Sequence, residues 1–325
     1  MLANSLHKCE EEKVQDITES EQKLLRRLLK NSRSSLANLS QEIGKNRNWI
    51  ARRIRKLVRD RTILAYVTVF DPAQVYAERN TILLMKTNPR ELDVSTGLLA
   101  MPELESLDGI SGDYSLLGLF RFRGSGTFVQ FLDNVDQVVS KSRADKYQLV
   151  QVLTTYKTHG FRLESESARP QLVSSKDWDL LRTIYRQAPN EDSPFPLSQS
   201  EIGDRMEPCL SQPAVSKATR RLEERGAIVG YSAHIRFANI GLPIKFFLQI
   251  KSTPGTIAQT ARVVSRMDEV WDLHRTSADY SLFATVRTDS IEGYNQFLRR
   301  LYMNEDILDT QSQISLEEWF VPVRS

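Results

Sequence analysis

The sequence contains few cysteines and no long apolar segment. Among its 325 residues there are two cysteines, Cys9 and Cys209. Two cysteines so far apart make neither a disulfide framework nor the closely spaced ligand pairs of a zinc site. No apolar run approaches the roughly 20 residues needed to cross a bilayer, and the first segment lacks the apolar core of a secretory signal. We therefore expect a cytoplasmic protein with reduced cysteines and no membrane anchor.

The sequence also lacks the common signatures of catalysis. It has four histidines, and none belongs to a Ser/His/Asp set or to a metal-ligand spacing. A glycine-rich phosphate-binding loop is absent as well. The sequence therefore predicts no catalytic residue, no metal and no cofactor.

Charge is unevenly distributed along the chain. The net charge is +3, yet residues 16–66 contain 13 Lys or Arg and 5 Asp or Glu, a net of +8. The corresponding stretch 174–231 contains 8 Lys or Arg and 9 Asp or Glu, a net of −1. A basic block in a nearly neutral chain is typical of nucleic-acid contact, although a solvated basic helix face would have the same composition.

The chain repeats itself. Residues 111–122 read SGDYSLLGLFRF and residues 277–288 read SADYSLFATVRT. The identical positions, all at an offset of 166, are Ser111/Ser277, Asp113/Asp279, Tyr114/Tyr280, Ser115/Ser281, Leu116/Leu282 and Arg121/Arg287. A second pair of segments, ending at Tyr66 and Tyr231, matches at an offset of 165. Two matches at nearly one offset predict two similar units in tandem.

Each unit begins with a winged helix-turn-helix pattern. In the first unit, Thr18 followed by Glu21 is a capping box that starts a helix. Apolar residues then recur at helical spacing through three short helices, the third of which follows Asn46. The segment Ile63–Phe70 alternates and is rich in β-forming residues, so it is predicted to be a strand.

The second unit repeats this pattern with two insertions. Its strand is predicted at Ile228–Ile235. The extra residues lie at 189–196 (PNEDSPFP) and 204–209 (DRMEPC). Because both segments contain proline and acidic residues, we expect them to be surface loops.

The remainder of each unit follows the order strand, helix, strand, strand, helix, strand. This order defines a ferredoxin-like βαββαβ module, so the fold class is α+β with two winged helix-turn-helix domains and two ferredoxin-like domains in tandem. The predicted boundaries are a disordered tail at 1–15, helix-turn-helix domains at 16–70 and 176–236, ferredoxin-like domains at 71–163 and 237–325, and a polar linker at 164–175.

This organisation resembles the Lrp/AsnC family of transcription regulators. Residues 210–231, LSQPAVSKATRRLEERGAIVGY, are similar to the family's third helix and wing, and residues 111–117, SGDYSLL, are similar to its glycine-aspartate-tyrosine turn. The resemblance implies that the helix-turn-helix domains bind double-stranded DNA. It also implies that the ferredoxin-like domains dimerise and bind a small effector such as an amino acid. We therefore expect an intramolecular pseudo-dimer that associates further.

The chain departs from the family pattern at the effector turn. The turn glycine is Gly112 in the first unit but Ala278 in the second, and the acid that often follows the tyrosine is replaced by Ser115 and Ser281. The effector-binding residues implied by the resemblance are Gly112, Asp113, Tyr114, Asp279 and Tyr280. An Asp that merely forms the turn is the alternative role.

In each helix-turn-helix domain, the third helix is predicted to lie in the major groove of DNA. In the first unit, the candidate side chains for base edges are Arg47, Asn48, Arg52, Arg55 and Arg59, and those for phosphates are Arg53, Lys56 and Arg61. Trp49 is a further candidate for DNA contact, although a tryptophan at this position more often packs on the first helix. In the second unit the candidates are Ser211, Gln212, Ser216, Lys217, Arg220 and Arg221. The second face carries less charge, and a helix-turn-helix kept for structure is its alternative interpretation.

Two other functions are compatible with this architecture. Sirohaem decarboxylases resemble the chain in plan, but their histidine two positions before the tyrosine is Ala278 or Gly112 here; Arg275 and His274 are the nearest counterparts of their active residues. An effector-binding protein without DNA binding is the other alternative, and the net charge of the first domain argues against it.

Overall fold

The computed structural model describes residues 17–75, 80–88, 93–122, 125–142, 144, 146–163 and 173–321. The predicted tail and residues 164–172 of the predicted linker lie outside these ranges. The helices are α1 (Glu19–Lys30), α2 (Leu36–Ile43), α3 (Arg47–Arg59), α4 (Pro72–Val75), α5 (Asp93–Leu99), α6 (Ser125–Ser140), α7 (Ser175–Tyr185), α8 (Gln199–Asp204), α9 (Gln212–Glu224), α10 (Ile257–Ser265) and α11 (Ile291–Leu301), with a 3₁₀ turn at Phe237–Ile240. The strands are β1 (Ile63–Phe70), β2 (Thr81–Lys86), β3 (Leu104–Ile110), β4 (Leu116–Phe120), β5 (Lys146–Thr158), β6 (Phe161–Arg162), β7 (Arg186–Gln187), β8 (Ile228–Ile235), β9 (Ile244–Ser252), β10 (Val270–Thr276), β11 (Leu282–Thr288) and β12 (Ile307–Trp319).

Local sequence signals define the first helix-turn-helix, α1 to α3. The Thr18 side chain accepts from the backbone N–H of Glu21, and the Glu21 carboxylate accepts from the Thr18 backbone, which completes the capping box. Gly44 ends α2 with φ +75°, a left-handed conformation that glycine adopts without strain. Asn46 then caps α3 by accepting from the backbone N–H of Trp49 at 2.8 Å.

The two helix-turn-helix domains share a strand ribbon. Strand β1 pairs antiparallel with β8 over Ile63–Ile235 to Phe70–Ile228, so each helix-turn-helix packs on a strand ribbon that belongs to both units. The core of the first domain includes side chains of the second unit, namely Ala233, Ile235, Phe237 and Ile240. The core of the second domain in turn includes Phe70 and Val75 of the first unit.

The strand order within each ferredoxin-like module is that of the βαββαβ fold. The first module has the order β5-β2-β4-β3 and the second has the order β12-β9-β11-β10, all antiparallel. Helices α5 and α6 cover the outer face of the first sheet, where Phe120 packs on Phe131 with ring centroids 4.6 Å apart. Helices α10 and α11 cover the second sheet in the same way.

The two sheets close into one eight-stranded barrel. Strand β12 of the second unit pairs with β3 of the first, and β5 of the first pairs with β10 of the second. Apolar side chains from alternate positions fill part of the interior: Ile82, Leu84, Ile110, Leu117, Val150, Phe247 and Phe283. The chain is thus the intramolecular pseudo-dimer that the duplication predicts.

The insertion at 189–196 differs from the expectation of a solvated surface loop. The Tyr66 hydroxyl donates to the Pro194 carbonyl at 2.7 Å, Pro194 itself is buried, and Phe195 packs against the core of the first helix-turn-helix. Burial of apolar residues outweighs the polar composition of this segment, so the insertion fastens the second unit to the first. Met206 in the other insertion is also buried, whereas Cys209 is exposed.

In the described ranges, no helix has the length and apolar character required to cross a membrane.

Candidate nucleic-acid interface and barrel interior

The exposed face of α3 is basic. Arg47, Asn48, Arg52, Arg55 and Arg59 are exposed, while Ile50, Ile54, Leu57 and Val58 face the core. Arg61, which follows the helix, is exposed as well. Arginine side chains on one exposed helix face are suited to phosphates and to the acceptor edge of guanine.

Two of the predicted phosphate contacts are engaged within the protein. Glu21 on α1 is 2% exposed, and its carboxylate lies 3.2 Å from Nε of Arg53 and 3.8 Å from Nζ of Lys56. Burial raises the pKa of Glu21, but hydrogen bonds from Thr18 and the charges of Arg53 and Lys56 outweigh it and leave the pKa below its usual value. Both cations are half-buried and fix α3 on α1.

Trp49 lies at the start of α3 and packs against the core of the first helix-turn-helix. Its ring also faces the guanidinium of Arg53 at 5.3 Å and the ammonium of Lys45 at 5.9 Å. The indole therefore positions basic groups at the N-terminus of the helix.

The exposed face of α9 is less basic. Ser211, Gln212, Lys217, Arg220 and Arg221 are exposed, and Ser216 is half-buried. Two of its three cations have acidic partners: Nε of Arg220 lies 2.9 Å from Glu224, and Arg221 pairs with Asp177. The difference in composition between the two units is thus also a difference in exposed, uncompensated charge.

The predicted effector turns lie where each unit meets the last strand of the other. Ser111 donates its backbone N–H to Ile314 on β12 at 3.0 Å and accepts from the Ile314 backbone through Oγ at 3.2 Å. Ser277 makes the equivalent pair of bonds with Gln151 on β5, at 3.0 and 3.2 Å.

The two effector turns are not equivalent in conformation or partners. Gly112 has φ +112°, whereas its counterpart Ala278 is not among the described non-glycine residues with positive φ. Asp113 and Asp279 are both exposed. The Tyr114 hydroxyl donates to Gln148 at 3.1 Å, and the Tyr280 hydroxyl donates to Asp309 at 2.5 Å. The arrangement brings Gly112, Asp113 and Tyr114 together at one turn and Asp279 and Tyr280 at the other.

A charged cluster lies inside the barrel, where sequence patterns predict apolar side chains. We call Asp108, Lys245, Arg287 and Glu318 the inner charge cluster. Nζ of Lys245 is 2.9 Å from Asp108 and 2.9 Å from Glu318, and Arg287 donates to Glu318. Burial raises the pKa of Asp108, whereas the charges of Lys245 and Arg287 outweigh burial and hold the pKa of Glu318 well below its usual range.

His274 lies close to this cluster and is neutral at pH 7. It is 4% exposed, and its Nδ1 is 3.1 Å from the Thr155 hydroxyl. Burial lowers its pKa to about 4, with Arg121 acting in the same direction and Asp272 against it. His274 and Arg275 alternate along β10, so only one of the two points into the barrel.

The sequence did not predict the inner charge cluster. Its residues come from both units and become neighbours only when β3, β9, β11 and β12 close the barrel. The available signal was the match of Arg121 and Arg287 in a strand where apolar residues otherwise predominate. A charge retained at the same inward position of both copies indicates a polar interior.

Parts of the chain are similar to known transcription regulators. Residues 245–321 match the model of the Lrp/AsnC ligand binding domain. The HTH-type transcriptional regulator FL11 of Pyrococcus furiosus is 26% identical over 108 residues, which cover 33% of this chain and 72% of the regulator. The HTH-type transcriptional regulator Zrp of Zymomonas mobilis is 27% identical over 121 residues, 36% of this chain and 78% of that protein.

A solved structure matches nearly the whole chain. The siroheme decarboxylase NirDL superposes with a TM-score of 0.59 over 93% of this chain and 92% of its own, at 15% identity. At this identity the likeness shows a shared tandem fold. Residues 245–321 thus carry the match to the Lrp/AsnC ligand binding domain, and the tandem fold of the whole chain is shared with NirDL.

Proposed function

We propose that the chain is a sequence-specific DNA-binding transcription regulator that acts in the cytoplasm and responds to a small effector such as an amino acid. The observation that carries this proposal is the exposed face of α3. Arg52 and Arg55 are exposed there away from Glu21, which engages Arg53 and Lys56, while Nε of Arg59 lies 3.5 Å from Asp60. The relatives FL11 and Zrp, both named as HTH-type transcriptional regulators, support the same function.

A second candidate is decarboxylation of sirohaem, because NirDL shares the fold over nearly its whole length. The cavity inside the barrel weighs against it. Its volume is about 100 Å³, whereas pockets for ligands of ordinary drug size are roughly 300–1,000 Å³. A tetrapyrrole would require the inner charge cluster to separate.

The two candidates are distinguished by one set of measurements on the full chain. Selection from a random duplex pool is expected to enrich a defined sequence, and Arg52→Ala with Arg55→Ala is expected to abolish the enrichment. The matched control is Lys23→Ala with Lys30→Ala on α1. Failure to enrich any sequence, together with release of carbon dioxide from sirohaem, would replace the regulator by the enzyme.

The effector is expected at the turns of Asp113 and Asp279, near the contacts between the two units. Asp113→Asn should weaken the response of DNA binding to the effector more than Asp279→Asn, because only the first turn has the glycine with positive φ. The measurement is DNA affinity with and without each amino acid at millimolar concentration. Equal responses of the wild-type chain and both variants would remove the effector role from these turns.

A further inference from the structure

A small cavity with both apolar and charged lining residues lies at the end of the barrel that faces the β1–β8 ribbon. Both units contribute to its wall, and its charged or imidazole-bearing lining residues are Glu105, Arg121, His159, Arg186, His234, Lys245, Asp272, His274, Arg287 and Glu318. We call it the end cavity. Its volume is about 100 Å³, which suits a few waters or a ligand of a few heavy atoms.

The carboxylates around the end cavity already have donors. Glu318 accepts from Lys245 at 2.9 Å and from Arg287. Asp272 accepts from the backbone N–H of His159 at 2.9 Å, and Glu105 accepts from a tyrosine hydroxyl. Each of these carboxylates therefore has hydrogen-bond donors within the protein.

Two guanidinium groups on the cavity wall, those of Arg186 and Arg287, each have an N–H donor without a hydrogen-bond acceptor. Nε of Arg287 is buried without a hydrogen-bond partner, and the residue as a whole is 6% exposed. Nε of Arg186 is also buried without a partner, although its Nη1 donates to the Val321 carbonyl at 3.3 Å. A buried charged donor that lacks an acceptor costs about 1–3 kcal/mol or more, so these two atoms indicate a missing acceptor.

The imidazoles do not compete for this acceptor as cations. Burial lowers the pKa of His159 and of His274 to about 4 and that of His234 to about 3, so each is neutral at pH 7 and offers one N–H. A neutral imidazole can hydrogen-bond an anion without adding a buried charge of its own.

We propose that the end cavity binds one small oxyanion per chain, a short carboxylate or a phosphate, held by Arg186 and Arg287. The size of the cavity suits a ligand of a few heavy atoms, and the unpaired guanidinium donors on its wall favour an anionic acceptor. This site is distinct from the effector turns of Asp113 and Asp279, because none of the turn residues lines it.

Occupancy of the end cavity has a route to the DNA-binding domains. His234 lies on β8 and Arg186 on β7, and both strands pair with β1 in the ribbon that carries the two helix-turn-helix domains. An anion that draws Arg186 towards Arg287 would therefore tighten the ribbon on the barrel. This consequence for DNA binding rests on the proposed function, whereas binding of the anion does not.

The experiment is calorimetric titration of the full chain with acetate, malonate and inorganic phosphate, each also followed by thermal unfolding. The diagnostic variant is Arg287→Gln combined with Glu318→Gln, which removes both charges of a pair and leaves the Lys245–Asp108 contact in place. Arg186→Gln provides a second variant with a less buried side chain. The matched control is Arg299→Gln on α11, an exposed arginine outside the cavity.

At least one of the three anions is expected to bind at one site per chain and to raise the unfolding temperature. Loss of one charged donor should weaken this binding about ten- to a hundredfold in either cavity variant and leave the control unchanged. Binding by phosphate alone or by carboxylates alone would identify the source of the oxyanion. Absence of binding by all three, or equal binding by the cavity variants and the wild-type chain, would overturn the site and leave the DNA-binding proposal untouched.

Discussion

Glu21 and Lys56 lie 3.8 Å apart between α1 and α3, beside the 3.2 Å ion pair of Glu21 with Arg53, and the Glu21–Lys56 contact recurs in the second unit as Asp177 and Arg221. Both acids are buried at capping positions of the first helix of their domain. A cation of the third helix is thereby held on the first helix in each unit. The contact separates two classes of basic residue on α3, those that position the helix and those that remain exposed for a partner.

Removal of the Glu21 carboxylate should destabilise the first helix-turn-helix. Glu21→Ala eliminates the bonds with the Thr18 backbone and hydroxyl at 2.8 and 2.6 Å and leaves Arg53 half-buried without its partner. We expect a loss of about 2–3 kcal/mol in the free energy of unfolding, measured by urea denaturation. Glu19→Ala, an exposed acid of the same turn, is the control and should change stability by less than about 0.5 kcal/mol. Equal losses would show that the contact is not specific.

Replacement of exposed arginines on α3 should change the salt dependence of DNA binding. Each phosphate contact that is lost lowers the slope of log affinity against log salt by roughly 0.9. For Arg52→Ala, Arg55→Ala and Arg59→Ala together we expect a reduction of up to about 2.7. The same substitutions at Lys217, Arg220 and Arg221 should have a smaller effect, because two of these cations have acidic partners. Equal reductions would contradict the assignment of DNA binding mainly to the first unit.

The repeat in the sequence contained more structural information than its motif suggested. Ser111 and Ser277 bond the last strand of the opposite unit, Leu116 is buried in a core beneath helices, and Arg121 and Arg287 line the end cavity. The helices, the βαββαβ order and the pairing of the units follow from periodicity and duplication, since these are local signals or a requirement to cover a sheet.

Features that depend on closure of the barrel could not be predicted. The pairing of β1 with β8 joins segments of opposite units, and nothing in Ile63–Phe70 specifies its partner strand. The packing of Phe195 on the first domain and the burial of Lys245 beside Asp108 have the same origin. In each case, the environment of the residue is created by chain segments more than 100 residues away.

The serine bonds at the effector turns should stabilise the pseudo-dimer. Ser111→Ala removes the Oγ acceptor of the Ile314 N–H, and Ser277→Ala removes that of Gln151. Each substitution should cost about 1 kcal/mol in the free energy of unfolding, and the double variant about twice as much because the sites are separate. Ser140→Ala at the exposed end of α6 serves as the control. Unfolding temperatures unchanged in both single variants would show that the backbone pairing alone holds the barrel closed.

Protonation of His274 should make stability depend on pH. The pKa is about 4 in the folded chain and about 6.5 when unfolded. Below pH 6.5 the unfolded chain binds a proton that the folded chain does not, so stability falls as the pH falls to about 4. The slope is about 1.4 kcal/mol per pH unit for this residue. His274→Gln should remove that contribution between pH 6.5 and 4, while the losses from His159, His234 and the carboxylates persist. An identical pH profile in the variant would mean that His274 is accessible and protonates freely.

The fixed connection between the two helix-turn-helix domains should determine the spacing of the DNA target. The β1–β8 ribbon and the hydrogen bond from Tyr66 to Pro194 connect the domains of α3 and α9 within the chain and fix their relative positions. Because these helices have different sequences, we expect a target with two dissimilar halves, about one helical turn (~34 Å) or a multiple apart. Insertion of about 5 base pairs between the halves turns one of them to the opposite side of the duplex, since a turn is about 10.5 base pairs. Affinity should then fall to that of the α3 half-site alone, as measured by titration of the spaced duplexes. A palindromic consensus would instead indicate that two chains pair through their first domains, and tolerance of every spacing would indicate that charge alone holds the protein on DNA.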